Sequence, residues 1–127
     1  MSTPSRKLLG TTAAILGALA VAFGAFGAHA LRGTLDAAAL AIWQTAVSYL
    51  FWHVLAALAA LHADAAASSR AARIAATLFL AGAAVFSGTL FALALGAPRW
   101  FGAITPLGGA ALIAGWITFA AHYLRRA

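Results

Sequence analysis

Four apolar stretches occupy almost the whole of this 127-residue chain, and the gaps between them are short. They run over about 8–31, 38–61, 74–95 and 104–124. As a helix rising ~1.5 Å per residue, each is long enough to cross the ~30 Å hydrocarbon core of a bilayer. No Asp or Glu lies inside any of them. A membrane β-barrel would need apolar–polar alternation in strands of ~10 residues, and none is visible. In hydrocarbon a backbone must satisfy its own hydrogen bonds, so helices are the remaining solution. Only 8% of residues are charged and 65% are hydrophobic. A soluble domain carries about a quarter charged residues, so there is too little polar surface here to face water. The short connections favour neighbouring helices of opposite direction. The sequence therefore predicts an all-α, polytopic membrane protein: a single transmembrane domain over 1–127, built as an antiparallel four-helix bundle.

The charges give the orientation. Arg6, Lys7, Arg70, Arg73, Arg125 and Arg126 fall on one side of the spans, and Arg32 and Arg99 on the other. That bias predicts cytoplasmic N- and C-termini. The net charge of +6 comes as single residues or pairs between apolar runs, not as a patch, so no nucleic-acid partner is expected. Trp43, Trp100 and Tyr123 stand near span ends, where their rings are expected to anchor at the headgroups. Arg6-Lys7, an apolar run and Ala28-His29-Ala30 together imitate a cleavable signal. A signal's apolar region is usually ~7–15 residues and this one is longer, so the run is expected to stay as the first span. Thr105-Pro106 has the form of a helix start, with Thr as cap and Pro in the first turn. The fourth helix is expected to begin near Pro106, after an interfacial lead-in over 100–104.

Small residues recur at helical spacing. Gly17 and Gly24 are a heptad apart; Ala20, Gly24 and Ala28 step by four. Gly88, Gly108 and Gly115 occupy similar places in the later spans. Such stripes let backbones approach closely, which matters where lipid removes the hydrophobic drive between helices. They serve packing within one chain or between two copies equally well.

The second span is the most polar. Thr45, Tyr49 and His53 step by four and are assigned to one face, expected to turn inward because polar groups facing lipid are costly. His53 lies nine residues from His62, about 13 Å below the membrane boundary. Ser87 and Thr89 reach a similar depth on the third span, so the five are expected to meet inside the bundle. An intramembrane histidine either shuttles protons or bonds neighbouring helices. His62 and His122 could lie level near one face, as a bis-histidine haem requires, but His62 adjoins a polar loop with Asp64 and no dedicated pocket surrounds it. No paired metal-ligand spacing occurs. There is no cysteine, which removes disulfide, thiol-redox and thiolate–metal chemistry. Both carboxylates, Asp36 and Asp64, are assigned to loops, so a carrier built on a membrane-embedded carboxylate is not expected. Asp36 follows Arg32 by four and is read as a loop or helix-cap charge. No phosphate loop, Ser-His-Asp order or carboxylate pair appears. No catalytic residue, cofactor or metal is expected, and the protein is not expected to be an enzyme.

At this point the chain resembles a known family. Gly24-Ala25-Phe26-Gly27-Ala28-His29-Ala30-Leu31 resembles the first-helix signature of the domain of unknown function 423 family, which also takes in the eukaryotic transmembrane protein 256. Trp43-x-Thr45-Ala46-x-x-Tyr49-x-x-x-His53 resembles its second-helix pattern. Phe86-Ser87-Gly88-Thr89-Leu90 is similar to its "FSGSLY" run. Ile104-Thr105-Pro106-Leu107-Gly108-Gly109 with Gly115-Trp116 resembles its fourth helix. Thr89 stands where that family tends to have Ser, and Phe91 where it tends to have Tyr. The resemblance implies a small integral membrane protein of roughly four spans and implies no activity. Two roles follow as expectations. The first is non-enzymatic, acting through helix, lipid or partner contacts as an assembly or stability factor. The alternative is a small-solute or ion pathway lined by the polar residues of the second and third helices. The expected setting is a bacterial plasma (inner) membrane, with the lipid bilayer as the expected contact and either a second copy or another membrane protein left open as a partner.

Overall fold

A computed structural model describes residues 4–125. Four helices follow one another: α1 Arg6–His29, α2 Ala37–Ala67, α3 Arg70–Ala94 and α4 Phe101–Leu124. All four have the length and apolarity to cross a membrane. Their starts are explained locally. The Ser5 hydroxyl accepts from the Leu8 N–H, Asp36 from Ala39 N–H and Ser69 from Ala72 N–H, each satisfying a donor that a helix end leaves orphaned. Of the two readings of Asp36, loop charge or helix cap, the structure shows the cap.

The bundle is unevenly filled. In their most apolar stretches, 44% of α2 and 39% of α3 are buried, against 17% of α1 and 22% of α4. The α2–α3 hairpin is the core, α1 leans mainly on α2, and α4 packs along α3. Alanines make the α2–α3 seam: Ala56, Ala57 and Ala60 from α2 cluster with Ala75, Ala76 and Ala83 from α3. Methyl-sized side chains let the backbones come close, and close contact is what holds helices together in lipid. Phe79 of α3 fills the space left toward α4 and is fully buried.

The elements differ from the sequence expectation in three places. First, α2 runs to Ala67, so Asp64 and its neighbours belong to its last turns rather than to a loop. At about 46 Å, the 31-residue helix is longer than the hydrocarbon is thick, and its end stands clear of it. The turn into α3 is only Ser68 and Ser69, with Ser68 in the left-handed region (φ 50°) that favours glycine. Second, α4 begins at Phe101, not near Pro106. N–H groups of Phe101, Gly102 and Ala103 bond back three residues to Pro98, Arg99 and Trp100, and this tight turn starts the helix without a side-chain cap. Pro106 sits one turn later, where it forfeits a single helical bond. Third, Trp43 is no headgroup anchor. It is buried among Phe23, Phe26 and Phe91, and its indole N–H donates to the Phe23 carbonyl at 2.8 Å. Trp100 and Tyr123 are exposed, as anchors would be.

The small-residue positions sort by contact. A Cβ on Gly108 would lie 2.5 Å from the Phe86 nitrogen, and one on Gly115 2.8 Å from the Phe79 ring. Gly17 and Gly24 face Val54 and Val47 more loosely, at 3.5 and 3.3 Å. Ala20 is buried. Ala28 is exposed, and a Cβ on Gly88 would meet nothing within 4 Å, so neither is a close helix-to-helix contact within this chain. Gly82 and Gly27 are the positions the sequence reading missed. A Cβ on Gly82 would lie 3.0 Å from the Gly108 carbonyl oxygen, and one on Gly27 would run into the Trp43 ring. On α1 the buried small residues are Ala13, Ala20 and Gly27, a strict heptad that a ladder of fours leaves behind.

Gly108→Ala is expected to push α4 off α3 and to cost about 1–3 kcal/mol, the usual price of overpacking. Gly88→Ala is expected to leave the melting temperature in detergent unchanged or slightly raised. Equal effects of the two substitutions in a thermal unfolding assay would refute this account of the α3–α4 contact.

Candidate functional site

The polar residues expected to meet inside the bundle separate into distinct sites. On α2, successive steps of four rotate by about 40° around the axis. Thr45, Tyr49 and His53 therefore drift from lipid-facing, through the edge, to buried. Thr45 is exposed and its hydroxyl donates back to the Ala41 carbonyl at 3.1 Å. Tyr49 is half-buried, and His53 is buried at 6% exposure.

Ser87 and Thr89 take other partners. Ser87, fully buried, donates across the α2–α3 seam to the Ala46 carbonyl at 2.7 Å. Thr89 shares a 2.7 Å hydrogen bond with Thr105 of α4. Thr105, read from sequence as a cap, is thus a helix-to-helix contact.

His53 meets a residue that the sequence reading left out of the cluster. The indole N–H of Trp116, on α4, donates to His53 Nε2 at 3.1 Å. Indole nitrogen only donates, so Nε2 must be the unprotonated acceptor. The ring proton then sits on Nδ1, 2.7 Å from the Tyr49 carbonyl. Both nitrogens are satisfied and the tautomer is set by its neighbours. The Tyr49, Phe79 and Trp116 rings surround the imidazole, with centroids 5.9, 5.8 and 5.9 Å away. The i+63 separation of Trp116 explains why spacing along one helix could not find it.

A groove of about 610 Å³ lies over this group, between α2 and α4. Tyr49, Trp52, His53, Phe86, Ile113 and Trp116 line it. Trp52 and Ile113 are exposed, so the groove opens sideways on the flank of the bundle. Its size is that of a small-molecule site, and its walls are mostly aromatic and aliphatic. It suits an apolar guest with at most one polar contact.

Several other ionisable groups, Arg6, Asp64, Arg73 and His122 among them, gather at the end of the molecule where α1 begins. Asp64 is fully buried and ties three helices. Arg73 Nε and Nη2 donate to its two oxygens at 2.9 and 3.3 Å, and Arg6 Nη1 reaches Oδ2 at 3.4 Å. His122 is buried near the same end, its Nδ1 2.6 Å from the Ser69 hydroxyl, while His62 is exposed. Among the described residues no three His, Asp or Glu side chains gather as a metal site would need.

Trp116→Phe keeps a ring against Phe79 and deletes the donor to His53. It is expected to cost about 0.6–1.7 kcal/mol, the range found for helix-to-helix hydrogen bonds in membranes. A double-mutant cycle with His53→Ala, read by unfolding in detergent, checks it; strict additivity would contradict the bond.

The family model described as "Protein of unknown function (DUF423)" matches residues 23–109. The chain is 43% identical over 108 residues to the UPF0382 membrane protein YwdK of Bacillus subtilis, covering 81% of this chain and 88% of that one. It is 39% identical over 110 residues to a UPF0382 membrane protein of Haemophilus influenzae, covering 87% and 88%. To the UPF0382 inner membrane protein YgdD of Escherichia coli it is 42% identical over 108 residues, covering 82% and 79%. No solved structure matches it. By the extent of the family match and these identities, the chain belongs to the DUF423 family of membrane proteins.

Proposed function

We propose that this protein is non-enzymatic and works through contacts made inside a bilayer, as an assembly or stability factor for other membrane components. The α2–α4 groove is the surface it offers them. The observation that carries this reading is the state of His53. It is the one histidine set well inside the spans, and both its nitrogens are already committed, to Trp116 and to the Tyr49 carbonyl. A proton shuttle or ligand site needs a nitrogen free to exchange partners. Ser87 and Thr89 are committed in the same way. The alternative, a solute or ion pathway along α2 and α3, needs a file of available polar groups. With Thr45 turned outward and the α2–α3 seam filled by alanine methyls, the geometry gives it little support.

Proteoliposome flux separates the two. A contact role predicts that His53→Ala lowers the melting temperature, while proton and potassium leak stay at the level of empty vesicles for wild type and variant. A wild-type leak abolished by His53→Ala would replace this reading with the pathway.

The same reading includes the orientation. Arg6, Lys7, Arg70, Arg73 and Arg125 belong to one end and Arg32 and Arg99 to the other; Arg126 lies outside the described residues. By the excess of Arg and Lys, we place the richer end, with both termini, in the cytoplasm of a bacterium whose plasma membrane holds the protein. Fusions at the C-terminus test this: green fluorescent protein should fluoresce and alkaline phosphatase should be inactive. The reverse pattern would invert the topology.

A further inference from the structure

A second cavity, of about 230 Å³, lies at the basic end where α2, α3 and α4 converge. Ser68, Ser69, Arg70, His122 and Arg125 line it. It differs from the α2–α4 groove in chemistry and in depth. Exposed Tyr123 beside it, and the apolar part of α3 beginning at Ile74, set it at headgroup level.

Three observations give it the character of an anion site. The first is the hydrogen bonding of His122, which is only 4% exposed. Ser69 Oγ already accepts from the Ala72 N–H, and the acceptor within reach of its own proton is His122 Nδ1, 2.6 Å away. With the hydroxyl donating, the imidazole proton is on Nε2. Among the described residues Nε2 has no partner, yet no fully enclosed side-chain nitrogen or oxygen lacks one. Nε2–H is therefore not fully enclosed, and His122 is among the residues that line the cavity.

The second is the charge arithmetic. The chain has two acidic side chains. Asp36 caps α2 at the opposite end, and Asp64 is enclosed by Arg73 and Arg6. Arg70 and Arg125 thus have no acidic side chain to pair with. The third is the start of α3, a 25-residue helix whose first N–H groups and positive dipole end face the same region.

We propose that this cavity holds the phosphate of an anionic phospholipid headgroup from the adjoining leaflet. Arg70 and Arg125 supply charge, His122 Nε2–H supplies one directed donor, and the start of α3 supplies the dipole. A lipid is favoured over free phosphate because the cavity stands at the membrane boundary, with exposed Tyr123 and Leu124 beside it for the acyl chains. This inference does not depend on the role of the α2–α4 groove or on which end is cytoplasmic.

The test uses the purified full chain in a neutral detergent, with phosphatidylglycerol or phosphatidylcholine added. Native mass spectrometry counts bound lipid, and thermal unfolding measures stabilisation. Wild type is expected to retain one phosphatidylglycerol in preference to phosphatidylcholine by roughly tenfold or more, as two guanidiniums at a headgroup imply. Arg70→Gln with Arg125→Gln, both at exposed positions, should leave the lipid-free melting temperature unchanged and erase the preference. Arg32→Gln with Arg99→Gln, which removes equal charge at the other end, should leave it intact. Equal retention of the two lipids by wild type would overturn the proposal, as would equal loss in the two double variants. Displacement of phosphatidylglycerol by millimolar inorganic phosphate would overturn the assignment to lipid.

Discussion

Hydrocarbon offers no hydrogen bonds, and that constraint organises this molecule more than any single contact. Some span hydroxyls, Thr45 and Thr118 among them, are satisfied by their own helix, and others are satisfied across helices and so join them. Trp43 joins α2 to α1 through the Phe23 carbonyl, and Ser87 joins α3 to α2 through the Ala46 carbonyl. Thr89 and Thr105 join α3 to α4, and Trp116 joins α4 to α2 through His53. Each such bond contributes only about 0.6 kcal/mol on average. Their larger effect is on geometry, since any other rotation of a helix would strand a donor in lipid.

Close backbone approach is the second determinant, and it depends on where side chains are absent. The α2–α3 seam is built from alanine and the α3–α4 contact from Gly82 against Gly108. Phe79 shows the complementary device: one large ring, fully buried, against which His53, Trp116 and Phe119 are arranged. The outer helices have less of either device. Their lipid-facing sides carry exposed Leu8, Ile15 and Val21 on α1, and Leu107, Ile113 and Ile117 on α4.

The spans and their alternating direction were legible because length and apolarity alone decide whether a segment crosses a bilayer. The ends were less so. Hydropathy marks where the chain leaves hydrocarbon, but α2 continues as helix for two more turns because Asp64 is held there by Arg73 and Arg6. Pro106 misled for a related reason: a helix can run through a proline at the loss of one bond, so Pro106 does not fix the start. The polar cluster failed on geometry. A four-residue step is close enough to one turn to suggest a shared face, yet the two steps from Thr45 to His53 turn through about 80°. His53 is buried and Thr45 is not. Trp116, Gly82 and Ser69 were invisible to sequence because their significance lies in contacts between helices far apart along the chain.

Asp64 also bears on the order in which the molecule can be made. Its carboxylate is bound mainly by Arg73, nine residues later, so the α2–α3 hairpin neutralises it as soon as the tight Ser68–Ser69 turn forms. Arg6, by contrast, emerges from the ribosome 58 residues before its acceptor exists. Until α2 has been made, the first helix therefore has neither that carboxylate nor the surface it mainly packs against, and only its own apolarity holds it in the bilayer.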